Sequence, residues 1–241
     1  MSNIYKDVIS NSGITINQNK DLYSFNLDTI LLYNFAKVVK KGKIVDLCSG
    51  NGAIGLSLAS KTKAHIYLVE LQKELSHLAE TSILDNDLTD QVTSINDGIK
   101  NVQRHLHHDS IDMIVCNPPY FTSKESTHIK NNPVLAIARH EIKTDLSEVI
   151  YSIKVLLKEN SHAYIVYRPD RLSELFNVMS EQKIQPKRIK FVRSHNDDNA
   201  NLVLVDAIKT VKTASLVVEP DLVMYNGDQL SSEAKKIIEG L

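Results

Sequence analysis

One short segment constrains the fold more than any other, because a strand pattern runs directly into a glycine turn and then into a helix. The strand is Lys43–Cys48, the turn is Ser49–Gly52, and the helical segment is Ala53–Ser60. Three glycines in the turn and helix have the spacing G-x-G-x-x-G. In an open parallel sheet, such a turn presents free backbone N–H groups to a ligand at the carboxyl end of the strand.

Strand and helix patterns alternate along the rest of the chain. This alternation predicts an α/β fold with a doubly wound, mostly parallel, seven-stranded Rossmann-like sheet that carries helices on both faces and an antiparallel edge strand. A helix from Leu27 to Val39, capped by Asn26, precedes the first strand, and a hairpin through Glu219–Asp221 and a short helix after Asp228 are expected in the tail. Strands are predicted at 65–70, 92–96, 111–116, 163–167, 188–192 and 202–208, and helices at 72–85, 145–157 and 171–180.

Composition sets the class of protein. The chain has 241 residues, of which 42% are hydrophobic and 24% are charged, so a packed globular domain is expected. We expect one domain over 1–241, with a cover segment and helix at 1–42, a Rossmann-like core at 43–210 and an addition at 211–241. The formal charge of -1 excludes a polybasic protein. Two cysteines and the lack of a signal peptide or long apolar run indicate a cytoplasmic setting, with no membrane segment.

Acidic and amide side chains follow the first three strands of the predicted sheet. Asp46 lies near the end of the first strand, Glu70 ends the second strand twenty residues after Gly50, and Asn96-Asp97 ends the third. Both a dinucleotide and S-adenosyl-L-methionine are candidate ligands for such a turn. Asp46 favours S-adenosyl-L-methionine, because a carboxylate repels a pyrophosphate but attracts the methionine ammonium. Glu70 suits the ribose hydroxyls, and Asn96-Asp97 suits an adenine edge.

The fourth strand ends in Asn117-Pro118-Pro119-Tyr120. Two prolines fix the backbone and remove two N–H donors, so the turn is stiff and its carbonyl groups face the cleft. The Asn117 side-chain oxygen and the Pro118 carbonyl are then two acceptors for one planar amine, and Tyr120 offers a flat stacking surface. This arrangement predicts positioning of an exocyclic amine for methyl transfer, without a dedicated strong base.

Together, Asp46–Gly55, Glu70, Asn96-Asp97 and Asn117–Tyr120 resemble the Rossmann-like class I S-adenosylmethionine-dependent methyltransferases. The stretches 22–32, 138–141 and 200–205 narrow the resemblance to the bacterial valine-tRNA adenine-N6 methyltransferases, which methylate the adenosine on the 3′ side of the anticodon. The resemblance implies cofactor-binding residues Phe25, Asp28, Asp46, Cys48, Gly50, Gly52, Glu70, Leu71, Asn96, Asp97 and Asn117. It implies catalytic residues Asn117, Pro118 and Tyr120, and substrate-binding residues Tyr120, Phe121, Arg139, His140, Lys187 and Arg188.

Several readings of the remaining features stay open. The basic stretch Lys183–Arg193 fits either an RNA phosphate contact or the solvated face of an edge strand, and the lysines at 37–43 are expected near the site entrance. His105, His107 and His108 lack the partners of a metal site, so no metal is expected. The expected partner is tRNA, bound by a monomer or homodimer at a single-stranded loop with a flipped adenine. Alternatives are a release-factor-type protein glutamine-N5 methyltransferase, an rRNA guanine-N2 methyltransferase and a catalytically silent RNA-binding module.

Overall fold

The computed structural model describes residues 3–9, 12–22, 24–119 and 145–240. Its strands are β1 Ile4–Ile9, β2 Ile14–Asn19, β3 Lys43–Leu47, β4 His65–Glu70, β5 Val92–Asn96, β6 Ile111–Cys116, β7 Leu157–Tyr167, β8 Ile184–Arg193, β9 Leu202–Lys209, β10 Val217–Val218, β11 Leu222–Val223, β12 Tyr225–Asn226 and β13 Gln229–Leu230. Its helices are α1 Leu27–Phe35, α2 Ala53–Ala59, α3 Lys73–Asp85, α4 Leu146–Leu156, α5 Leu172–Glu181 and α6 Ser232–Glu239.

A nine-stranded sheet in the order β10-β8-β9-β7-β6-β3-β4-β5, with β11 also paired to β8, forms the centre of the fold. Seven of its strands, β3 to β9, are long. The five strands from β3 to β7 pair with their neighbours in this group in parallel, which confirms the predicted α/β architecture. One detail differs from the prediction. The reversed strand is β9, and it lies between β7 and β8 rather than at the edge. Its continuous buried run from Val203 to Ala207 suits an interior strand that is covered on both faces.

The predicted hairpin in the tail is wrong. β10 and β11 both pair with β8 in parallel, and they do not pair with each other. The segment between them is held against β8, because the Glu219 N–H donates to the Ile189 carbonyl at 2.8 Å and the Glu219 carboxylate pairs with Arg188 at 2.9 Å. Because of these contacts, the chain runs alongside β8 from β10 to β11 and does not reverse its direction between them. The final helix is present as α6, and the Ser231 hydroxyl caps it by accepting from the Ala234 N–H.

The first helix begins as predicted but is shorter. The Asn26 side chain accepts a hydrogen bond from the Asp28 N–H at 3.1 Å, which caps α1. The helix ends at Phe35 rather than Val39, and Ala36 is extended. The Arg188 guanidinium donates to the Phe35 carbonyl at 3.0 Å, so this helix end is satisfied by a side chain from β8.

Before α1, the chain forms the antiparallel hairpin β1–β2, which the sequence patterns did not predict. Asn17 on β2 attaches the hairpin to α3. Its N–H donates to the Ser82 hydroxyl at 2.8 Å, and its side-chain amide donates to the Asp85 carboxylate at 2.7 Å. The Asn51 side chain, which belongs to the glycine turn, donates to the Asn17 carbonyl at 3.4 Å. The hairpin is therefore anchored beside the turn that follows β3.

Apolar side chains fill both faces of the sheet and form two clusters. Neighbouring residues of β3 alternate between them, since Ile44 belongs to the first cluster and Val45 and Leu47 to the second. Helices α1 and α2 cover the first face, whereas α4 covers the second. No helix among the described residues combines the length and the apolar character needed to cross a membrane.

The carboxyl ends of β3, β4, β5 and β6 share one edge of the sheet, which we call the carboxyl edge. Lys40 and Lys43 do not lie there. Lys43 is the first residue of β3, and the Lys40 carbonyl accepts a hydrogen bond from the Lys63 N–H just before β4 at 3.0 Å. The expectation that the lysines flank the site entrance is therefore wrong for Lys40 and Lys43, because they occupy the opposite end of the strands.

Candidate active site

Asp46 is the buried carboxylate at the centre of the carboxyl edge, and none of its surface is exposed. Its Oδ2 accepts a hydrogen bond from the Gly55 N–H in α2 at 2.8 Å. Its Oδ1 is buried and has no hydrogen-bond partner among the described residues. Burial raises the pKa of Asp46 to about 7 although the Gly55 hydrogen bond lowers it, and the neighbouring Glu70 charge contributes a smaller part of the rise. Asp46 therefore has one acceptor atom available for a cationic or donor group.

Glu70, at the end of β4, holds two backbone segments of the carboxyl edge. Its Oε2 accepts from the Gly50 N–H and its Oε1 from the Gln72 N–H, each at 2.8 Å. Burial raises the pKa of Glu70, while these backbone hydrogen bonds oppose the shift. Each carboxylate oxygen retains a second lone pair, so the geometry also permits the carboxylate to accept from hydroxyl groups of a ligand.

The glycine turn adopts the left-handed backbone conformation that its composition predicts. Gly50 and Gly52 have φ of 57° and 81°, and Cys48 has φ of 58°. Gly55 is required by close packing, because a Cβ at that position would lie 2.3 Å from the Leu68 Cδ2. The sequence patterns missed Ser49, whose buried hydroxyl also has no partner among the described residues. Its position inside the turn is the only sequence signal that points to it.

The residues at the end of β5 are engaged with the protein itself. The Asn96 amide donates to the carbonyls of Glu70 at 2.9 Å and Leu71 at 3.1 Å. The Asp97 carboxylate accepts hydrogen bonds from the Gly98 N–H and from the Asn101 amide, and it pairs with His105 at 2.9 Å. These hydrogen bonds lower the pKa of Asp97, and the bond with His105 has the largest effect. The Leu71 side chain, 47% exposed, offers an apolar surface beside them.

His105 is paired with Asp97, and His108 lies 3.1 Å from the Gln103 side-chain oxygen. Across residues 3–9, 12–22, 24–119 and 145–240, no group of three or more His, Cys, Asp or Glu side chains is arranged to hold a metal ion.

Phe25 and Asp28 lie in the cover segment and at the start of α1. The Phe25 side chain packs against the first core cluster, and its N–H donates to the Gln18 side chain at 3.1 Å. Asp28 is buried in the first turn of α1, where a carboxylate interacts favourably with the helix dipole. Both positions have a structural explanation, and their contact with a cofactor stays a prediction.

Asn117 and Pro118 continue directly from β6. Cys116, the last residue of β6, is in register with Leu47 of β3, so Asn117 emerges beside the turn that carries Gly50. Pro118 is buried and Asn117 is partly buried. The remaining predicted substrate residues, Tyr120, Phe121, Arg139 and His140, lie outside the described residues.

Arg188 is not brought to the carboxyl edge. Its side chain pairs with Asp206 at 3.3 Å and with Glu219 at 2.9 Å, donates to the Phe35 carbonyl, and stacks over the Phe35 ring at 3.8 Å. Lys190 and Arg193 pair with Glu233 and Asp221. Much of the basic stretch therefore serves internal ion pairs, and Arg188 is a structural residue in this geometry. Lys187 lies at an irregularity in the register between β8 and β9.

Comparison with known families agrees with this arrangement. A family model described as methyltransferase small domain matches residues 14–156. The chain belongs to this family. Within it, the Dyadobacter fermentans protein named tRNA1(Val) (adenine(37)-N6)-methyltransferase is 26% identical to this chain over 224 residues, which are 92% of this chain and 90% of that protein.

Solved structures share the fold of this methyltransferase-family chain. An Agrobacterium tumefaciens protein described as a predicted O-methyltransferase superposes with a TM-score of 0.71 at 18% identity, covering 89% of this chain and 96% of that chain. The M. jannaschii TYW2 structure in complex with AdoMet superposes with a TM-score of 0.59 at 14% identity, covering 86% of each chain. At these identities the likeness concerns the fold.

Proposed function

We propose that this chain transfers a methyl group from S-adenosyl-L-methionine to the exocyclic N6 amine of an adenine in tRNA, the adenosine on the 3′ side of the anticodon of valine tRNA. The observation that carries the proposal is the match to the D. fermentans adenine-N6 methyltransferase over 92% of this chain. That alignment extends beyond the family domain at 14–156 and so includes sequence outside the shared cofactor region.

The residues of the carboxyl edge fit S-adenosyl-L-methionine. The buried Asp46 Oδ1, without a hydrogen-bond partner among the described residues, suits the methionine ammonium. Glu70 suits the ribose hydroxyls, and the exposed Leu71 suits the adenine face. The fold likeness to the AdoMet-bound M. jannaschii structure supports the same ligand at this edge. When bound, the cofactor supplies an activated methyl group on a sulfonium sulfur.

Asn117 and Pro118 would prepare the amine. The lone pair of adenine N6 is delocalised into the ring, so the free amine is a weak nucleophile. The Asn117 side-chain oxygen and the Pro118 carbonyl would each accept one N–H, which holds the nitrogen towards tetrahedral geometry and directs its lone pair. The proline-rich backbone makes this pair of acceptors stiff. Rate enhancement then comes from orientation and preorganised acceptors, and the proton leaves after methyl transfer.

The target adenine would be extruded from an RNA loop, where unstacking costs only a few kcal/mol. Tyr120, outside the described residues, keeps its predicted role as the stacking surface. We also infer that residues 1–241 act as one domain, as a monomer or a homodimer, and sedimentation at several protein concentrations separates these two states.

The experiment uses methyl-labelled S-adenosyl-L-methionine, the full chain and three substrates in parallel: total tRNA, peptide release factor and ribosomal RNA. Digestion and mass spectrometry identify the labelled residue. The expected product is N6-methyladenosine in valine tRNA. A matched control is an anticodon stem-loop whose target adenosine is replaced by guanosine, and it should take no label. Label in glutamine or guanine, or binding of tRNA without label in any substrate, would overturn the proposal.

A further inference from the structure

Cys116 ends β6, and Cys48 directly follows β3, the neighbouring strand of the sheet. β3 and β6 are parallel partners in which Leu47 is opposite Cys116, and Cys48 directly follows Leu47. Neighbouring strands lie about 4.8 Å apart, which brings the two cysteines into the Cα separation that a disulfide requires. Both are free thiols in this structure.

The left-handed backbone at Cys48 turns its side chain towards Cys116. Side chains alternate between the faces of a strand, so a regular continuation of β3 would put Cys48 on the face of Ile44 and Asp46. With φ of 58°, Cys48 instead packs against the second core cluster, the cluster to which Leu47 and Cys116 belong. Both cysteine side chains therefore lie on the same face of the sheet.

We propose that Cys48 and Cys116 form an oxidation site, in which a peroxide converts the two thiols into an intrachain disulfide. In the first step the Cys48 sulfur forms a bond to one peroxide oxygen, the O–O bond breaks, and one water leaves, which produces a sulfenic acid. In the second step the Cys116 sulfur attacks the Cys48 sulfur, the S–O bond breaks, and a second water leaves with the Cys116 proton. The two sulfurs are oxidised and the peroxide is reduced.

The environments of the two cysteines assign these roles. Cys48 is only partly buried, so a small oxidant reaches it first, whereas Cys116 has no exposed surface. Burial raises the pKa of the Cys116 thiol well above its ordinary value, so Cys116 is protonated and reacts poorly with the peroxide itself. Cys48 is therefore the attacked thiol and Cys116 the resolving thiol.

The disulfide would join the turn that carries Gly50 to the residue immediately before Asn117. The turn and the Asn117-Pro118 backbone would then be tied in one geometry, and Cys48 would lose its contact surface towards a ligand. This consequence rests on the proposed function of the site, whereas formation of the disulfide does not. We expect the oxidised protein to bind S-adenosyl-L-methionine at least about tenfold more weakly, because the contact of Cys48 with the ligand is lost and the tied turn can no longer adjust to the ligand.

The test treats the full chain with hydrogen peroxide, blocks remaining thiols with iodoacetamide, digests without reduction and maps linked peptides by mass spectrometry. The expected product is a peptide pair joined through Cys48 and Cys116, which dithiothreitol separates. Cys116→Ala should instead accumulate a sulfenic acid at Cys48 that dimedone traps. Cys48→Ala should leave Cys116 reduced. Full alkylation of both thiols in unfolded samples of peroxide-treated protein, or linkage only between two chains, would overturn the proposal.

Calorimetry with S-adenosyl-L-methionine, before oxidation, after oxidation and after reduction, tests the consequence. The wild-type affinity should fall and recover, while Cys116→Ala protein should not show a disulfide-dependent fall. If the linked peptide forms but affinity is unchanged, the effect on the site is wrong although the modification is real. If the reduced protein binds no S-adenosyl-L-methionine, the proposed cofactor is wrong, and the peptide map still decides the modification.

Discussion

The Glu70 carboxylate accepts a hydrogen bond from the Gly50 N–H at 2.8 Å, so the end of β4 holds the glycine turn that follows β3. The same carboxylate accepts from the Gln72 N–H at 2.8 Å, just before α3. One buried side chain thus fixes two backbone segments of the carboxyl edge. The Asn96 amide, through the Glu70 and Leu71 carbonyls, fixes the backbone of Glu70 itself.

Replacing Glu70 should weaken both the fold and the cofactor site. Glu70→Ala leaves the Gly50 and Gln72 N–H groups without their acceptor, and an unsatisfied buried donor costs about 1–3 kcal/mol. We expect a fall of this size in the free energy of unfolding in urea, and weaker S-adenosyl-L-methionine binding in calorimetry. Glu74→Ala, at an exposed position in the first turn of α3, is the matched control. Equal effects of the two substitutions would contradict the role of Glu70.

Asp46 should make stability depend on pH. Burial raises the pKa of Asp46 from 3.8 to about 7. Between these values the folded state binds more protons than the unfolded state, so this group's contribution to stability is lost as pH rises from about 4 to about 7. Asp46→Asn has no such proton and should lose less stability across the window. Urea unfolding of both proteins at several pH values measures the difference, and parallel curves would contradict the assignment.

Binding of a cationic group should reverse the upward shift in the pKa of Asp46. An ammonium beside the Oδ1 favours the carboxylate and lowers the pKa of Asp46. S-adenosyl-L-methionine binding slightly below neutral pH should therefore release a proton, and affinity should rise with pH through about 7. Calorimetry in buffers of different ionisation enthalpy counts the proton. Asp46→Asn should bind weakly and release none; proton release by that variant would assign the titration to another group.

Gly55 should tolerate no side chain. A Cβ there would lie 2.3 Å from the Leu68 Cδ2 and 3.1 Å from the Asp46 Oδ2. Alanine favours a helix over glycine by about 1 kcal/mol, but overpacking a core costs about 1–3 kcal/mol, so Gly55→Ala should destabilise. At Gly98 the nearest contact of a Cβ would be 3.6 Å, and Gly98→Ala is the control. Thermal unfolding should show a loss of stability for Gly55→Ala and none for Gly98→Ala.

Asn117 should act on the transfer step rather than on the fold. Asn117→Ala removes one preorganised acceptor, a loss that typically raises a barrier by about 3–4 kcal/mol. Single-turnover methylation should slow accordingly, while calorimetry shows that cofactor binding is retained. Asn199→Ala, at an exposed position of the loop between β8 and β9, should leave both measurements unchanged. Unchanged turnover in Asn117→Ala would remove the proposed role.

Substitutions of Arg188 and Lys187 should have different effects, the first on stability and the second on RNA binding. Removing one partner of a buried ion pair costs about 3–5 kcal/mol, so Arg188→Ala should unfold at much lower urea, and its effect should be non-additive with Asp206→Asn. Lys187→Ala should change stability by less than about 0.5 kcal/mol. If Lys187 contacts RNA phosphate, its loss should also reduce the salt slope of tRNA binding by about one. Additive effects of Arg188→Ala and Asp206→Asn would contradict the ion-pair network.

The parts of the fold that local patterns determine were predictable. Strand bounds at β4, β5 and β6 agree with the sequence patterns, because apolar runs there are bounded by turn residues. The positions of Asp46, Glu70 and Asn117 at one edge follow from the alternation, since parallel strands bring their carboxyl ends together.

The remaining features depend on contacts between distant residues, which no local pattern encodes. The sequence presents Arg188 as a surface cation. In the structure, Asp206, Glu219 and the Phe35 carbonyl surround its side chain. The β1–β2 hairpin is short, and it is held by Asn17 contacts to α3. The contact of Asn96 with a ligand stays a prediction, but no local pattern shows that its amide also donates to two carbonyls of the neighbouring strand end.

The partners of α1 have a consequence for synthesis on the ribosome. The Asn34 amide donates to the Ile237 carbonyl in α6, and Phe35 is held by Arg188 in β8. Translation produces α1 and its neighbour α2 early, whereas β8 and α6 are made later. The part of α1 that packs against β8 and α6 must therefore stay uncovered until those elements are made, a period in which exposed apolar surface invites aggregation or chaperone binding.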